Sequence, residues 1–335
     1  MPKQTVLITG GAGYIGSHVA RNFLDNNFKV IILDNLSRGY REAIEILGKL
    51  GDLEFIEGDI LDPKVLATIF SENKIDTVIH CAALCMPDES VLKPFEYHQA
   101  NLLGTVNVLE AMAKAKVSKI IFSSTCAVYG EAQYLPVDEN HQTKPNSPYS
   151  ISKLLAEQVL ELYNKLYNIN YVIFRFFNVC GASSDGLIGD SKKPSQLLMQ
   201  NAVRGALNIE AFSYTCPKVN TPDGTPIRDY VDVEDLALAH QLAFDYLNSN
   251  GQSQLINLGS GVGYSVKQII NQVERTLGIL LEKNQARPRP AEYATTYANI
   301  TKALDVLKWQ PKKSLAQSVE SLSNWYKKRP RGYRY

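Results

Sequence analysis

Cysteine is scarce in this chain. Five cysteines among 335 residues is a small and odd number, which excludes a disulfide scaffold and points to reduced thiols in a cytoplasmic protein. An excess of charge of one sign is also missing. Lys plus Arg is 35 and Asp plus Glu is 34, a formal net charge of +1. So even a balance excludes a nucleic-acid or membrane-surface role driven by bulk electrostatics. No apolar run approaches the roughly 20 residues of a membrane span. The stretch before the first glycines is too short for a signal-peptide core. Cys81, Cys85, Cys126, Cys180 and Cys216 are scattered and no histidine cluster joins them, so no metal site is expected. Lys327-Lys328-Arg329 reads as a solvated basic end. Internal repeats, low-complexity tracts and heptad runs are lacking.

What is there is an alternation. A length of 335 residues suggests about two domains. Apolar runs at 5–8, 29–33, 53–56, 77–80, 119–122 and 171–176 read as strands. Helix-like segments at 14–26, 63–71, 95–115 and 148–167 separate most of them. Buried strands alternating with helices predict an α/β fold, a Rossmann-type doubly wound parallel sheet. Beyond Asn178 the texture becomes loop-rich, with a helix near 196–207, a proline-rich loop at 216–226, a helix at 233–247 and a strand at 255–259. We place a dinucleotide-binding domain at 1–178, with segments of about 233–260 returning to it, and a smaller α/β substrate-binding domain at 179–335.

Gly10, Gly13 and Gly16 are spaced G-x-x-G-x-x-G. The spacing closes an apolar run and opens a helix, which aims backbone N–H groups and a helix dipole at a pyrophosphate. Asp34 ends the next strand, where a carboxylate accepts hydrogen bonds from ribose hydroxyls and disfavours a 2′-phosphate. Asn35 adds a second polar group, and Asp59 and Ile60 lie where an adenine would sit. Tyr149 and Lys153 form Y-x-x-x-K, as do Tyr214 and Lys218, but the second pair has Pro217 inside it. At 149–153 a helix is well signalled. Ser147 can cap it, Pro148 sits in its first turn, and Leu154, Leu155, Val159, Leu162 and Leu166 repeat along it. An ammonium beside a phenol favours phenolate, a usable base. Ser123, Ser124 and Thr125 follow the 119–122 strand, so their hydroxyls face the crevice at its carboxyl end.

These three elements together resemble the extended short-chain dehydrogenase/reductase superfamily. Within it the chain is similar to the UDP-glucose 4-epimerase family. The likeness runs from TGGAGYIGSH through DNLSRG, SSTCAVYGE, PYSISK, RFFNVCGA, TPDGTPIRDYVDVEDL and NLGSGVGYSV to NWYKKRPRGY. The resemblance implies NAD as cofactor and a UDP-sugar as substrate, epimerised at C4 through a 4-keto sugar. It implies Tyr149, Lys153 and Thr125 as the residues of the chemistry. It assigns NAD to Gly10, Gly13, Tyr14, Ile15, Gly16, Asp34, Asn35, Asp59, Ile60, Cys81, Ala82, Ala83, Asn101, Ser123, Lys153 and Phe177. It assigns the UDP-sugar to Thr125, Tyr149, Asn178, Leu198, Phe212, Arg228, Arg289 and Thr296. It further implies a homodimer built on the 95–115 and 148–167 helices. Cys85 departs from the pattern: relatives carry there a Lys that helps hold the cofactor, so a weaker grip on NAD is expected. Three other readings remain open. A UDP-pentose 4-epimerase shares the S-S-T-C-A-x-Y-G-E stretch. A nucleotide-sugar dehydratase or decarboxylase would need an acid–base pair where Cys126 and Ala127 stand. A non-catalytic NAD-sensing protein would be expected to lose Tyr149 or Lys153.

Overall fold

The structure, a computed structural model, describes residues 3–192, 196–215, 217–286 and 293–334. Arg289 and Cys216 lie outside the described residues. In chain order the elements begin with β1 (Thr5–Thr9), α1 (Tyr14–Asp25), β2 (Lys29–Asp34), α2 (Arg41–Leu47), β3 (Leu53–Glu57), α3 (Pro63–Glu72) and β4 (Thr77–His80). Next come α4 (Pro87–Leu92), α5 (Pro94–His98), a π-helical turn at Gln99–Leu103, α6 (Gly104–Ala115), β5 (Lys119–Thr125), α7 (Pro148–Tyr167) and β6 (Asn170–Phe176). Then follow β7 (Asn178–Cys180), α8 (Leu198–Ala206), β8 (Ser213–Thr215), β9 (Ile227–Asp232), α9 (Val233–Asn248) and β10 (Gln254–Leu258). The last are β11 (Gly263–Ser265), α10 (Val266–Leu277), β12 (Asn284–Ala286), β13 (Thr295–Thr296), α11 (Thr301–Leu307) and α12 (Leu315–Lys328).

Two compact units result. The first comprises Met1–Gly130, Gln142–Phe176 and Ala237–Ile256; the second comprises Glu131–His141, Phe177–Leu236 and Asn257–Tyr335. The expected 1–178 domain thus loses residues 131–141 and 177–178 to the second unit, and the segment returning to the first is 237–256.

The first unit is built on a seven-stranded sheet of order β10-β6-β5-β4-β1-β2-β3. The pairs from β6 to β3 are parallel. Residues on both faces of β1 are buried, as a sheet covered by helices on both sides requires. Leu7, Ile31, Val78, Ile120 and Ile173 meet Leu66, Val108, Met112 and Leu160 in one apolar cluster. At about 25 cal/mol per Å² of apolar surface, such side chains contribute roughly 1.5–3 kcal/mol each when fully buried.

Three of the elements that the sequence does predict differ from the expectation. The 95–115 helix is broken: α5 ends at His98, a π turn follows, and α6 starts at Gly104. The wider turn lets Asn101 reach out of the helix, where its side chain accepts from Leu84 N–H at 2.8 Å and donates to Leu84 O at 2.9 Å. Strand β5 runs three residues past Phe122, because pairing with β6 continues to Thr125 opposite Phe176. In α7 the Leu162 and Leu166 side chains are exposed. Its buried face is made instead by Tyr149, Ser152, Lys153, Ala156, Glu157, Leu160 and Tyr163.

The second unit carries a small sheet in which β9 pairs antiparallel with β11 and parallel with β7 and β13. A separate two-stranded ladder joins β8 to β12. Trp309 and Trp325 are buried in this unit, their indole N–H groups donating to Asp235 O at 2.8 Å and to Asp190 O at 3.0 Å. Among the described residues no helix is long and apolar enough to cross a membrane.

Candidate active site

In the first unit the carboxyl ends of β4, β1 and β2 lie side by side, since Thr9 is level with both His80 and Leu33. The chain leaves β1 at Gly10 with φ +72°, a conformation that favours glycine. A Cβ there would stand 2.6 Å from Ala82 N. A Cβ at Gly16 would collide with the Gly10 carbonyl. Helix α1 starts at Gly13, in extended conformation, with no side chain capping it and no acidic residue in its first turn. The uncapped N–H groups and dipole of α1 are therefore available to an anion.

Asp34 is buried at the end of β2. Its Oδ2 accepts from Ala12 N–H at 3.0 Å and its Oδ1 from Leu36 N–H at 2.8 Å. Burial pushes its carboxyl above the usual range, and those two N–H groups hold the rise back. Each oxygen keeps a further lone pair for a ribose hydroxyl. Asn35 donates to Asp59 Oδ2 at 2.8 Å, and Ile60, buried beneath, accepts from Asn107 at 3.1 Å through its carbonyl. Tyr14 and Ile15 open α1 half-buried, and Cys81, Ala82 and Ala83 leave β4 half-buried. Cys81 N–H donates to Thr9 O at 3.0 Å. A bare glycine turn, an uncapped helix and a carboxylate at the next strand end fit NAD.

The side chains that the resemblance assigns to the chemistry lie farther along the same edge of the first unit. Ser147 and Ser150 form a reciprocal cap with Pro148 in the first turn, which starts α7 so that Tyr149 and Lys153 share its buried face. Lys153 Nζ donates to Ser123 O at 2.8 Å and stands 4.7 Å above the Phe122 ring. Burial pushes Lys153 down to about 8. Tyr149 moves the other way: burial raises its phenol, the Cys85 thiol adds to the rise, and a hydrogen bond with Thr125 opposes it. The expected lowering by the Lys153 ammonium is thus not what dominates. Burial does, and the direct partner of Tyr149 is Thr125. Thr125 Oγ1 also accepts from Ala127 N–H at 3.2 Å. Ser123 Oγ donates to Cys81 Sγ at 3.3 Å, and burial raises the Cys81 thiol to about 11.

Two buried groups under this site were not singled out from the sequence. Glu157 accepts from Ser124 Oγ at 2.5 Å, from Arg175 Nε at 3.1 Å and from Arg175 Nη2 at 2.6 Å. Arg175 in turn lies 4.6 Å over the Tyr129 ring. This pair locks α7 to β5 and β6 below the Tyr149–Lys153 face. Its signal was present: Arg175 is the sole charge in an otherwise apolar strand, and Glu157 follows Lys153 by one helical turn. The second group is His80, held between Thr9 Oγ1 at 2.6 Å and Thr105 Oγ1 at 3.0 Å. Burial pushes it down to about 3, so it stays neutral. Asn101 completes the support, donating to Ser152 Oγ at 3.0 Å.

The remaining candidates belong to the second unit. Phe177 is buried and donates its N–H to Leu258 O at 3.0 Å. Asn178 opens β7, level with Tyr230. Leu198 begins α8. Phe212 is buried and stacked on Tyr214 at 5.8 Å. Arg228 and Thr296 are register partners in β9 and β13. The Arg228 guanidinium donates to Ile227 O and Tyr293 O, both at 2.8 Å. Thr296 is buried, and its hydroxyl has no partner among the described residues.

A family model described as the NAD dependent epimerase/dehydratase family matches residues 6–259. A UDP-glucose 4-epimerase of Halalkalibacterium halodurans is 41% identical over 332 residues, 98% of this chain and 98% of that protein. A protein named putative UDP-arabinose 4-epimerase 4, from Arabidopsis thaliana, is 38% identical over 98% of this chain and 77% of its own length. The crystal structure of UDP-glucose 4-epimerase from Bifidobacterium longum in complex with NAD+ and UDP is similar at TM-score 0.93 and 35% identity, covering 98% of this chain and all of that one. With most of its length matched by the model and nearly all of it by these relatives, the chain belongs to the NAD-dependent epimerase/dehydratase family.

Proposed function

We propose that the protein is an NAD-dependent UDP-glucose 4-epimerase. The observation that carries the reading is Tyr149, bonded to Thr125 and one helical turn from Lys153, on the sheet edge that also bears the bare glycine turn. NAD, when bound, supplies a hydride acceptor and then a hydride donor for C4 of the sugar. Tyr149 takes the proton from the C4 hydroxyl and later returns it. Thr125 orients that hydroxyl and shares the hydrogen bond. Lys153, anchored on the Ser123 carbonyl, would hold the cofactor ribose through its ammonium, and its charge favours the phenolate. Glu157 and Arg175 keep the helix that bears both residues at a fixed height. In the second unit we assign UDP to Phe212, Arg228, Leu198 and Asn178, with Arg289 beyond the described residues. Binding energy on the nucleotide and little on the hexose is what a sugar that must present both faces requires.

A UDP-pentose epimerase is the second reading, favoured by the 38% identity to the protein named as a UDP-arabinose 4-epimerase. Incubation with UDP-glucose, UDP-N-acetylglucosamine and UDP-xylose, followed by separation of the products, tests both. Conversion of UDP-glucose to its C4 epimer supports the first reading, and conversion of UDP-xylose alone replaces it with the second.

The same reading includes a homodimer. Ile151, Leu162, Leu166 and Tyr167 are exposed on α7, and an apolar stripe of this kind on a helix is suited to pairing with a second copy. It also includes a cytoplasmic setting, supported by Cys81, Cys85, Cys126 and Cys180 carrying thiols rather than disulfides.

A further inference from the structure

Strand β1 lies between β2 and β4, and all three run parallel. The ends of β2 and β4 are therefore two inter-strand spacings apart, about 9.5 Å. The glycine turn sits between them. The chain leaving β2 passes Asp34 and Asn35 and reaches Arg38. The chain leaving β4 passes Cys81–Cys85 and enters α4, which carries Glu89. Across this gap Arg38 Nη2 donates to both Glu89 carboxylate oxygens at 2.6 Å.

The Glu89 carboxylate has further donors. Lys93 Nζ reaches it at 3.2 Å and the Tyr97 hydroxyl at 3.1 Å. Tyr97 is fully buried, accepts from Met86 N–H at 3.0 Å, and meets the Tyr149 ring edge-on at 6.4 Å. Burial pushes Glu89 up, but Arg38 and Lys93 outweigh it and hold the carboxyl below its ordinary range. A lone exposed ion pair contributes little. This one has a carboxylate oriented by a buried phenol and fed by two cations. The Gly39–Tyr40 segment next to Arg38 is itself pinned to the glycine turn, since Tyr40 N–H donates to Ala12 O at 3.1 Å.

We propose that the Arg38–Glu89 pair is a strap across the dinucleotide crevice that retains the cofactor. It closes a ring of chain around the glycine turn, from Asp34 through Arg38 and Glu89 back to Cys81. The inference rests on the reading of that turn as the NAD site.

The test measures NAD release from the loaded protein, by trapping released cofactor and following protein-bound fluorescence. The variants are Arg38→Gln, Glu89→Gln and the double change, each checked by its melting curve. Each single variant is expected to release NAD at least about tenfold faster than the wild type. The double variant is expected to be no faster than the faster single one, because one interaction is lost only once. Raising the ionic strength should speed release from the wild type and not from Arg38→Gln. Wild-type release rates in Arg38→Gln, which alters an exposed loop side chain and leaves the core intact, overturn the strap while leaving the NAD reading standing. A wild type that takes up no NAD overturns both.

Discussion

Tyr149 and Lys153 are one helical turn apart, yet burial drives them in opposite directions: the phenol is raised and the ammonium is lowered to about 8. Tyr149→Phe keeps the ring against Tyr97 and loses the proton carrier. Turnover should fall by about 10²- to 10⁴-fold with NAD still bound, and a wild-type rate would remove Tyr149 from the mechanism. Lys153 holds its charge below about pH 8 and loses it above. The wild-type rate is therefore expected to decline as pH rises through 8. In Lys153→Met that alkaline decline should vanish, NAD should bind more weakly, and the remaining rate should climb with pH as the phenol ionises unaided. A pH–rate profile unchanged by the substitution would show that Lys153 does not tune the site. At Thr296 the argument is steric. Its side chain is small, buried and level with Arg228; on the reading that places it beside the sugar, it would accommodate an N-acetyl group where a Tyr would not. UDP-N-acetylglucosamine should be epimerised alongside UDP-glucose, and Thr296→Tyr should suppress the larger substrate selectively by overlap. The ratio of the two rates decides it; an unchanged ratio in the variant defeats the assignment.

At the scale of the element, α7 shows what periodicity can and cannot say. Its start was legible, because Ser147 and Pro148 are local signals and the cap forms as they predict. Its length was also legible. Which stripe faces inward was not: Leu162 and Leu166 point outward, and the inward face carries Lys153, Glu157 and two serines. A hydrophobic stripe marks a face to be covered, and a second molecule can cover it as well as the core can. Leu162→Glu with Leu166→Glu should therefore leave the fold intact and convert a dimer to monomers in sedimentation analysis; an unchanged assembly state would place the interface elsewhere. The π turn at Gln99–Leu103 was illegible for another reason. An extra residue in one turn shifts the apolar pattern too little to register, while the cause, Asn101 bonding to Leu84 and Ser152, lies in segments distant along the chain. The second unit's short strands, three residues or fewer in β7, β8, β11, β12 and β13, hold too little pattern to be read at all.

At the scale of the whole molecule, two buried groups titrate against each other. Asp232 is pushed up to about 7 by burial, opposed by Ser318 and the Glu234 N–H and reinforced by Asp235 and Glu234. Its folded pKa exceeds its unfolded one, so its contribution is present below about pH 4 and lost as pH rises towards 7, at about 1.4 kcal/mol per pH unit. His80 has the opposite sign. Held neutral with a folded value near 3, it contributes fully above pH 6.5 and loses that contribution as pH falls, at a similar rate. Between pH 4.5 and 6.5 the two slopes offset each other. Asp232→Asn removes one of them, so unfolding free energy should then rise with pH by about 1.4 kcal/mol per unit more steeply than in the wild type. Urea denaturation followed by tryptophan fluorescence measures this directly, since Trp309 and Trp325 both belong to the second unit. Equal slopes in the two proteins would show that Asp232 is ionised throughout.

The alternation of strands and helices, the glycine turn with Asp34, and the Tyr149–Lys153 spacing were determined by the sequence alone. Each is carried by residue types in order along the chain: an apolar run, a spacing of glycines with a carboxylate at the end of the next run, a helix cap, an i to i+4 neighbour. The tertiary structure alone decided that Thr125 is the partner of Tyr149, that burial outweighs the Lys153 charge, that Glu157 meets Arg175, and that Arg38 reaches Glu89 across β1. These depend on desolvation and on contacts between segments up to 51 residues apart, and neither is encoded in local spacing. Electrostatic strength is set by the depth at which a charge is buried, and depth exists only once the sheet has assembled.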